Sequence, residues 1–216
     1  DKALRVHILH RLLAPAGAMW EEPRCRRDLE ELAGCLALTA LRPSGRQGRV
    51  RRRFLSAVTP EGLSFCTETA AAVCGRVYVL EDSYGLAPAL LQRVLEQALQ
   101  LGQTCLVCYT PLQPDGAPAH LLVPGAGAAF VASSPDFPYA GERCCTLELD
   151  GTLPPAARDT LRFARDTAGT LLRKAAEHVR EAKRIHDELE ALCRPYVDFA
   201  AADALAERTL HELFPT

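Results

Sequence analysis

The spacing of apolar and polar side chains changes period several times along the chain. Leu4, Ile8 and Leu12, and then Leu29, Leu32 and Leu36, recur at helical intervals. Pro15-Ala16-Gly17 interrupts that run and Pro43-Ser44-Gly45 ends it. Residues 1–45 therefore read as a helical segment, either the tail of a preceding half or an N-terminal extension. Arg49, Arg51 and Arg53 alternate with Val50, Arg52 and Phe54, so a strand here would carry one wholly basic face. Thr59-Pro60-Glu61-Gly62 predicts a turn, because Pro presets φ and Gly permits a positive one. Residues 63–73 then read as a short helix.

Residues 75–102 organise the rest. Val77-Tyr78-Val79-Leu80 is an unbroken apolar run, residues 81–87 are turn-rich, residues 88–101 are amphipathic, and Gly102 closes the unit. A buried strand that turns tightly into a helix gathers backbone N–H groups and a helix N-terminus at one point, the geometry of an anion cradle. Residues 104–110, 119–123 and 128–132 are further apolar runs, and residues 144–150 alternate as an edge strand does. Apolar strands separated by a helix predict a mainly parallel sheet covered on both faces. From Pro155 the pattern changes again. Ala168, Ala175, Ala182 and Leu189 keep a heptad step, as do Leu171, His178, Ile185 and Leu192. One long helix to about Cys193 follows, more than ~50 Å at ~1.5 Å per residue. Arg194-Pro195 breaks it, and Asp198 is placed to cap a second helix, Phe199 to Phe214. The expected fold is α/β: a core over residues 46–153, with a helical hairpin over residues 154–216 packed on it.

Composition narrows the function classes. The formal net charge of -2 supplies no global field toward nucleic acid or membrane. Aromatic content of 6% against 48% hydrophobic leaves the core to Ala, Leu and Val. No apolar run reaches the ~18–20 residues of a membrane span. The opening residues do not read as a signal peptide, and a cytoplasmic location is the expectation. Since the chain opens on Asp1, it is expected to be a piece of a longer polypeptide or a processed product. The nine cysteines are odd in number, which suits reduced, buried thiols better than a disulfide framework. Cys105 and Cys108 have redox or zinc spacing. They fall on an expected strand, however, where residues three apart point to opposite faces. His178 and His186 are eight residues apart, too far for a helical metal pair. His120, in an apolar run, reads as a core histidine. No nucleophile, base and orienting group can be assembled from the spacing, and no metal is expected.

Within this pattern the chain resembles a family of bacterial ATPase-like proteins that carry two P-loop domains in tandem. The resemblance runs from about Gly48 to Phe214. It rests on residues 49–62, which end in the Thr-Pro-x-Gly turn, and on residues 76–91, colinear with the family's strand, Gly-x-x-Gly-x-Gly-Lys-[Ser/Thr] loop and helix. It also rests on His120 to Pro124, residues 128–133, residues 182–190 and Asp198-Phe199. The resemblance implies a P-loop NTPase-like core, with a nucleotide loop at Asp82, Ser83, Tyr84, Gly85, Leu86, Ala87, Pro88 and Ala89. It implies as partner an upstream P-loop half of the same polypeptide or a second copy.

The chain departs from the family at the chemistry. Pro88 stands at the lysine that reaches the β/γ-phosphates, and Ala89 at the hydroxyl that binds magnesium. Asp82 replaces the first loop glycine and brings negative charge to the phosphate position. Asp150, after Thr146-Leu147-Glu148-Leu149, is the nearest candidate for the aspartate that would assist a magnesium ion. The expectation is a degenerate P-loop domain without hydrolysis and without a required cofactor, ATP and magnesium binding at most weakly. A nucleotide-binding domain with residual activity is the first alternative. The second is an interaction module that uses the hairpin together with Arg49, Arg51, Arg53 and Thr59 for anion or partner contact, a protein being favoured over nucleic acid.

Overall fold

A computed structural model describes residues 32–37, 40–111 and 113–214. The helical reading of residues 1–31 lies outside the described residues. Residues 32–37 are helical, and their apolar side chains join the core. Eight strands follow: β1 (Arg49–Arg53), β2 (Ser56–Thr59), β3 (Gly62–Phe65), β4 (Arg76–Glu81), β5 (Thr104–Cys108), β6 (His120–Val123), β7 (Ala128–Ser133) and β8 (Cys145–Glu148). The helices are α1 (Thr67–Val73), α2 (Ala87–Gln100), α3 (Pro155–Cys193) and α4 (Phe199–Leu213).

The main sheet has the order β1-β5-β6-β7-β4-β8. All neighbours are parallel except those of β6, which runs against both β5 and β7. The reason is local. Only the short Pro124–Ala126 turn and Gly127 separate β6 from β7, and so short a link permits only an antiparallel hairpin.

Alternate residues feed two hydrophobic layers. Tyr78 and Leu80, Cys105 and Val107, Leu121 and Val123, and Ala128 and Phe130 pack on one face, against Leu90, Leu91, Val94 and Ala98 of α2. Val77 and Val79, Cys108, Leu122, Ala129 and Val131 pack on the other, against Ala70 of α1, Leu55 and Tyr139. With both faces covered, the strands need no polar side, which is why they read as continuous apolar runs. Gly102 ends α2 at φ 73°, and a Cβ there would lie 1.9 Å from the Arg46 carbonyl oxygen. Only glycine permits that turn into β5.

Three expectations need correction. Residues 63–73 are not one helix, because Gly62–Phe65 pairs antiparallel with Ser56–Thr59 across the Pro60-Glu61 turn. The turn lies at the expected position, and it joins two antiparallel strands. Not all cysteines are core thiols either. Among the described residues Cys74, Cys105 and Cys108 are buried, whereas Cys66, Cys144, Cys145 and Cys193 are exposed. The third concerns the extent of helical packing. Ala168 and Leu172 of α3 pack on Val58 and Leu63 of the small hairpin. Beyond Val179 every described residue of α3 and α4 is exposed.

Candidate functional site

Loop 82–86 joins β4 to α2 at the carboxyl end of the sheet. Its conformation is set by one side chain. The Asp82 carboxylate, 7% exposed, accepts hydrogen bonds from four successive backbone amides. Tyr84 (3.2 Å), Gly85 (2.8 Å) and Leu86 (2.9 Å) donate to Oδ1, and Ala87 (2.8 Å) donates to Oδ2. Gly85 holds the turn at φ 82°, a conformation costly for any residue with a Cβ. Pro88 sits in the first turn of α2, where no N–H is needed. A neighbouring carboxylate takes the fifth amide: Ser83 N–H donates to Asp150 Oδ1 at 2.8 Å. Asp150 reaches the loop because β8 lies parallel to β4 at the sheet edge and ends beside it.

The electrostatics of Asp82 are opposed. Burial pushes its carboxyl above the ordinary carboxylate range, and the negative charge of Asp150 pushes the same way. The amides of Leu86, Ala87 and Gly85 pull it back down. Every hydrogen bond that it receives among the described residues comes from a backbone N–H. An ionised carboxylate, which only accepts, matches such a set.

A cavity of about 220 Å³ opens beside this loop, at the carboxyl ends of β4, β5 and β7 and the start of β6. Asp82, Ser83 and Gly85 form one side, and Arg165 and Leu172 of α3 close another. Arg165 lies over the Tyr84 ring at 5.8 Å and holds Asp166 at 2.7 Å. Asp136, on the loop after β7, pairs with Arg173 at 3.2 Å. His120, at the start of β6, is 4% exposed and stacks on Phe65 with ring centres 4.9 Å apart. Its Nδ1 accepts from the Ala132 N–H at 3.2 Å. Burial drops its pKa to about 4, so the ring is neutral near pH 7.

The residues singled out in the sequence separate into two places. Asp82 to Ala89 and Asp150 come together at the loop. Arg49, Arg51 and Arg53 lie on β1, the fully exposed outer strand of the sheet. Arg52 reaches the Pro114 carbonyl and Asp115 (2.8 Å) and stacks on Tyr109 at 4.6 Å. Arginines on an edge strand discourage pairing with other strands. Thr59 is engaged locally, its Oγ1 donating to the Gly62 carbonyl at 3.0 Å. Cys105 and Cys108 point into opposite layers, and burial raises their thiols to about 11 and about 12. They form neither a zinc nor a redox pair. His186, Asp187 and Glu190 bring ligand atoms within 4.8 Å of one another on an exposed stretch of α3. Asp187 is already held by Lys183 at 2.7 Å, an ordinary i,i+4 surface pair.

The sequence reading missed the role of His120 as a cavity wall and of Ser56 beside it. The signal available was a polar residue interrupting an apolar run at the carboxyl-end side of the sheet. No helix of the described residues is long and apolar enough to cross a membrane. Comparison of the chain with protein-family models, with curated proteins and with solved structures finds no match.

Proposed function

We propose that the chain is a degenerate P-loop-like domain of an ATPase-related protein, without hydrolysis of its own, serving a structural or regulatory role. One observation carries the reading: the Asp82 carboxylate accepts from the amides of Tyr84, Gly85, Leu86 and Ala87. In a working phosphate loop such amides hold an external phosphate, and a lysine and a hydroxyl hold its charge and metal. Here the same donors hold a tethered anion from within the chain. Pro88 and Ala89 supply neither cation nor metal ligand. An incoming phosphate would meet Asp82 and Asp150, two negative groups that already occupy the donors. The alternative of weak nucleotide binding therefore loses the donors it requires.

The test is phosphate release from ATP, with and without magnesium. The expected result is no release above background. Turnover above ~1 per second, an ordinary enzyme rate, would refute the reading.

A separate observation favours a second reading, an interaction module. Ile185, Leu189 and Leu192 on α3, and Phe199, Leu205, Leu210 and Leu213 on α4, are all at least half exposed. Apolar side chains in such a row are a feature of contact surfaces. The partner in this reading is a second copy of the chain. Light scattering tests it: the mass of a dimer that falls to a monomer on Leu189→Glu and Leu192→Glu supports it. A monomer throughout the micromolar range removes it.

A further inference from the structure

The cavity beside the loop contains donors that the protein leaves unused. His120 donates nothing through Nδ1, because that atom accepts from the Ala132 N–H at 3.2 Å. The ring proton therefore sits on Nε2. Among the described residues no group accepts from Nε2, although the side chain is 96% out of solvent, at 4% exposure. Ser56 lies on β2, directly across from Phe65, the residue on which His120 stacks. It is 7% exposed, lines the same cavity, and its hydroxyl has no hydrogen-bond partner among the described residues. Neither atom is sealed in the protein interior: both open into the cavity, where an occupant that carries an acceptor can reach them.

Charge and size narrow the occupant. Each ionic group at the wall already has a partner: Asp82 its four amides, Asp136 the Arg173 guanidinium, and Arg165 the Asp166 carboxylate. No cation is left over for an anion, and no carboxylate for a cation. The remaining wall is mostly apolar, chiefly Ala119, Ala132, Phe137, Ala168 and Leu172, with Ser83, Thr110 and Ser134 as its polar members. The volume of about 220 Å³ falls below the ~300–1,000 Å³ of sites for drug-sized ligands, which suits a molecule of roughly ten non-hydrogen atoms. A nucleoside triphosphate is several times that size.

We propose that this cavity binds a small uncharged molecule with an apolar or flat body and a carbonyl oxygen that accepts from His120 Nε2, with Ser56 Oγ as a second donor. The inference stands apart from the reading of the 82–87 loop as degenerate, and either can fail alone. The neutrality of the His120 ring, its pKa lowered to about 4 by burial, keeps the required tautomer in place across the physiological range.

Benzamide and uracil serve as uncharged probes, with benzoate and benzylammonium as charged isosteres of the first. The full chain, labelled with ¹⁵N in its histidines, is titrated with each. The expected result is a saturating shift of the His120 Nε2 resonance with an uncharged probe at millimolar concentration. The charged isosteres should bind at least tenfold more weakly. His120→Phe, which keeps the stack on Phe65, should weaken the uncharged probe at least tenfold. Ser56→Ala should weaken it several-fold. If His120→Phe does not fold, the Nε2 shift in the unaltered chain and the Ser56→Ala variant decide the matter. The proposal is overturned if neither uncharged probe moves Nε2, which would mean water alone fills the cavity. It is equally overturned if benzoate binds as well as benzamide, or if binding survives His120→Phe.

Discussion

At the residue scale, Asp82 decides the character of the loop. A carboxylate at the end of a buried strand would be costly alone, but here four amides and a helix N-terminus face it. Removing it exposes the complementary cost. Asp82→Ala leaves four N–H groups without their acceptor, those of buried Tyr84, Leu86 and Ala87 and that of exposed Gly85, and the expected loss in stability is at least ~3 kcal/mol by urea denaturation. A loss under ~1 kcal/mol would show that water satisfies those amides readily. His120 gives a pH dependence whose sign is fixed. Its folded pKa of about 4 lies below the ordinary 6.5, so the folded protein resists protonation. The contribution to stability is complete above pH 6.5 and is lost as pH falls through about 4. About 3 kcal/mol is at stake across that window. Urea midpoints measured from pH 7 to pH 4 should fall accordingly, and His120→Phe should flatten that part of the slope.

At the element scale, what was legible in the sequence depended on how local the cause was. The run 77–80, the loop and the amphipathic 88–101 are set by neighbours in sequence, and all appear as β4, loop and α2. The same holds for α3 to Cys193 and for Asp198, whose side chain accepts from Ala201 N–H at 2.9 Å. The β2–β3 hairpin was hidden because Leu63 and Phe65 carry a short pattern that only pairing with Ser56–Thr59 resolves. The direction of β6 followed from link length rather than from its apolar run. The convergence of Ser56, His120 and Arg165 on one cavity was not legible at all, since it joins elements distant in sequence. The extent of helical packing makes a direct contrast. Leu189→Glu and Leu192→Glu, beyond the packed part of α3, should change stability by less than ~0.5 kcal/mol each. Phe130→Ala, at 0% exposure in the sheet, should cost ~3–5 kcal/mol. Urea denaturation of the three variants separates an exposed stripe from side chains that serve the core.

At the scale of the whole molecule, a two-faced α/β sheet gathers its polar groups at one edge, where the carboxyl ends of β4, β5 and β7 and the start of β6 meet. That edge is where open α/β sheets place ligands. Two devices share it here: a loop whose anion cradle is filled from within, and a small cavity with unused donors. The long α3 leaves this edge after Val179 and carries an exposed apolar row outward. The direct test follows the backbone amides of Tyr84, Gly85, Leu86 and Ala87 by ¹H–¹⁵N NMR while magnesium and ATP are added to millimolar concentration. The account predicts that these four resonances stay where they are, held by the Asp82 carboxylate. A saturating shift confined to them would mean that phosphate displaces the carboxylate, and would contradict it.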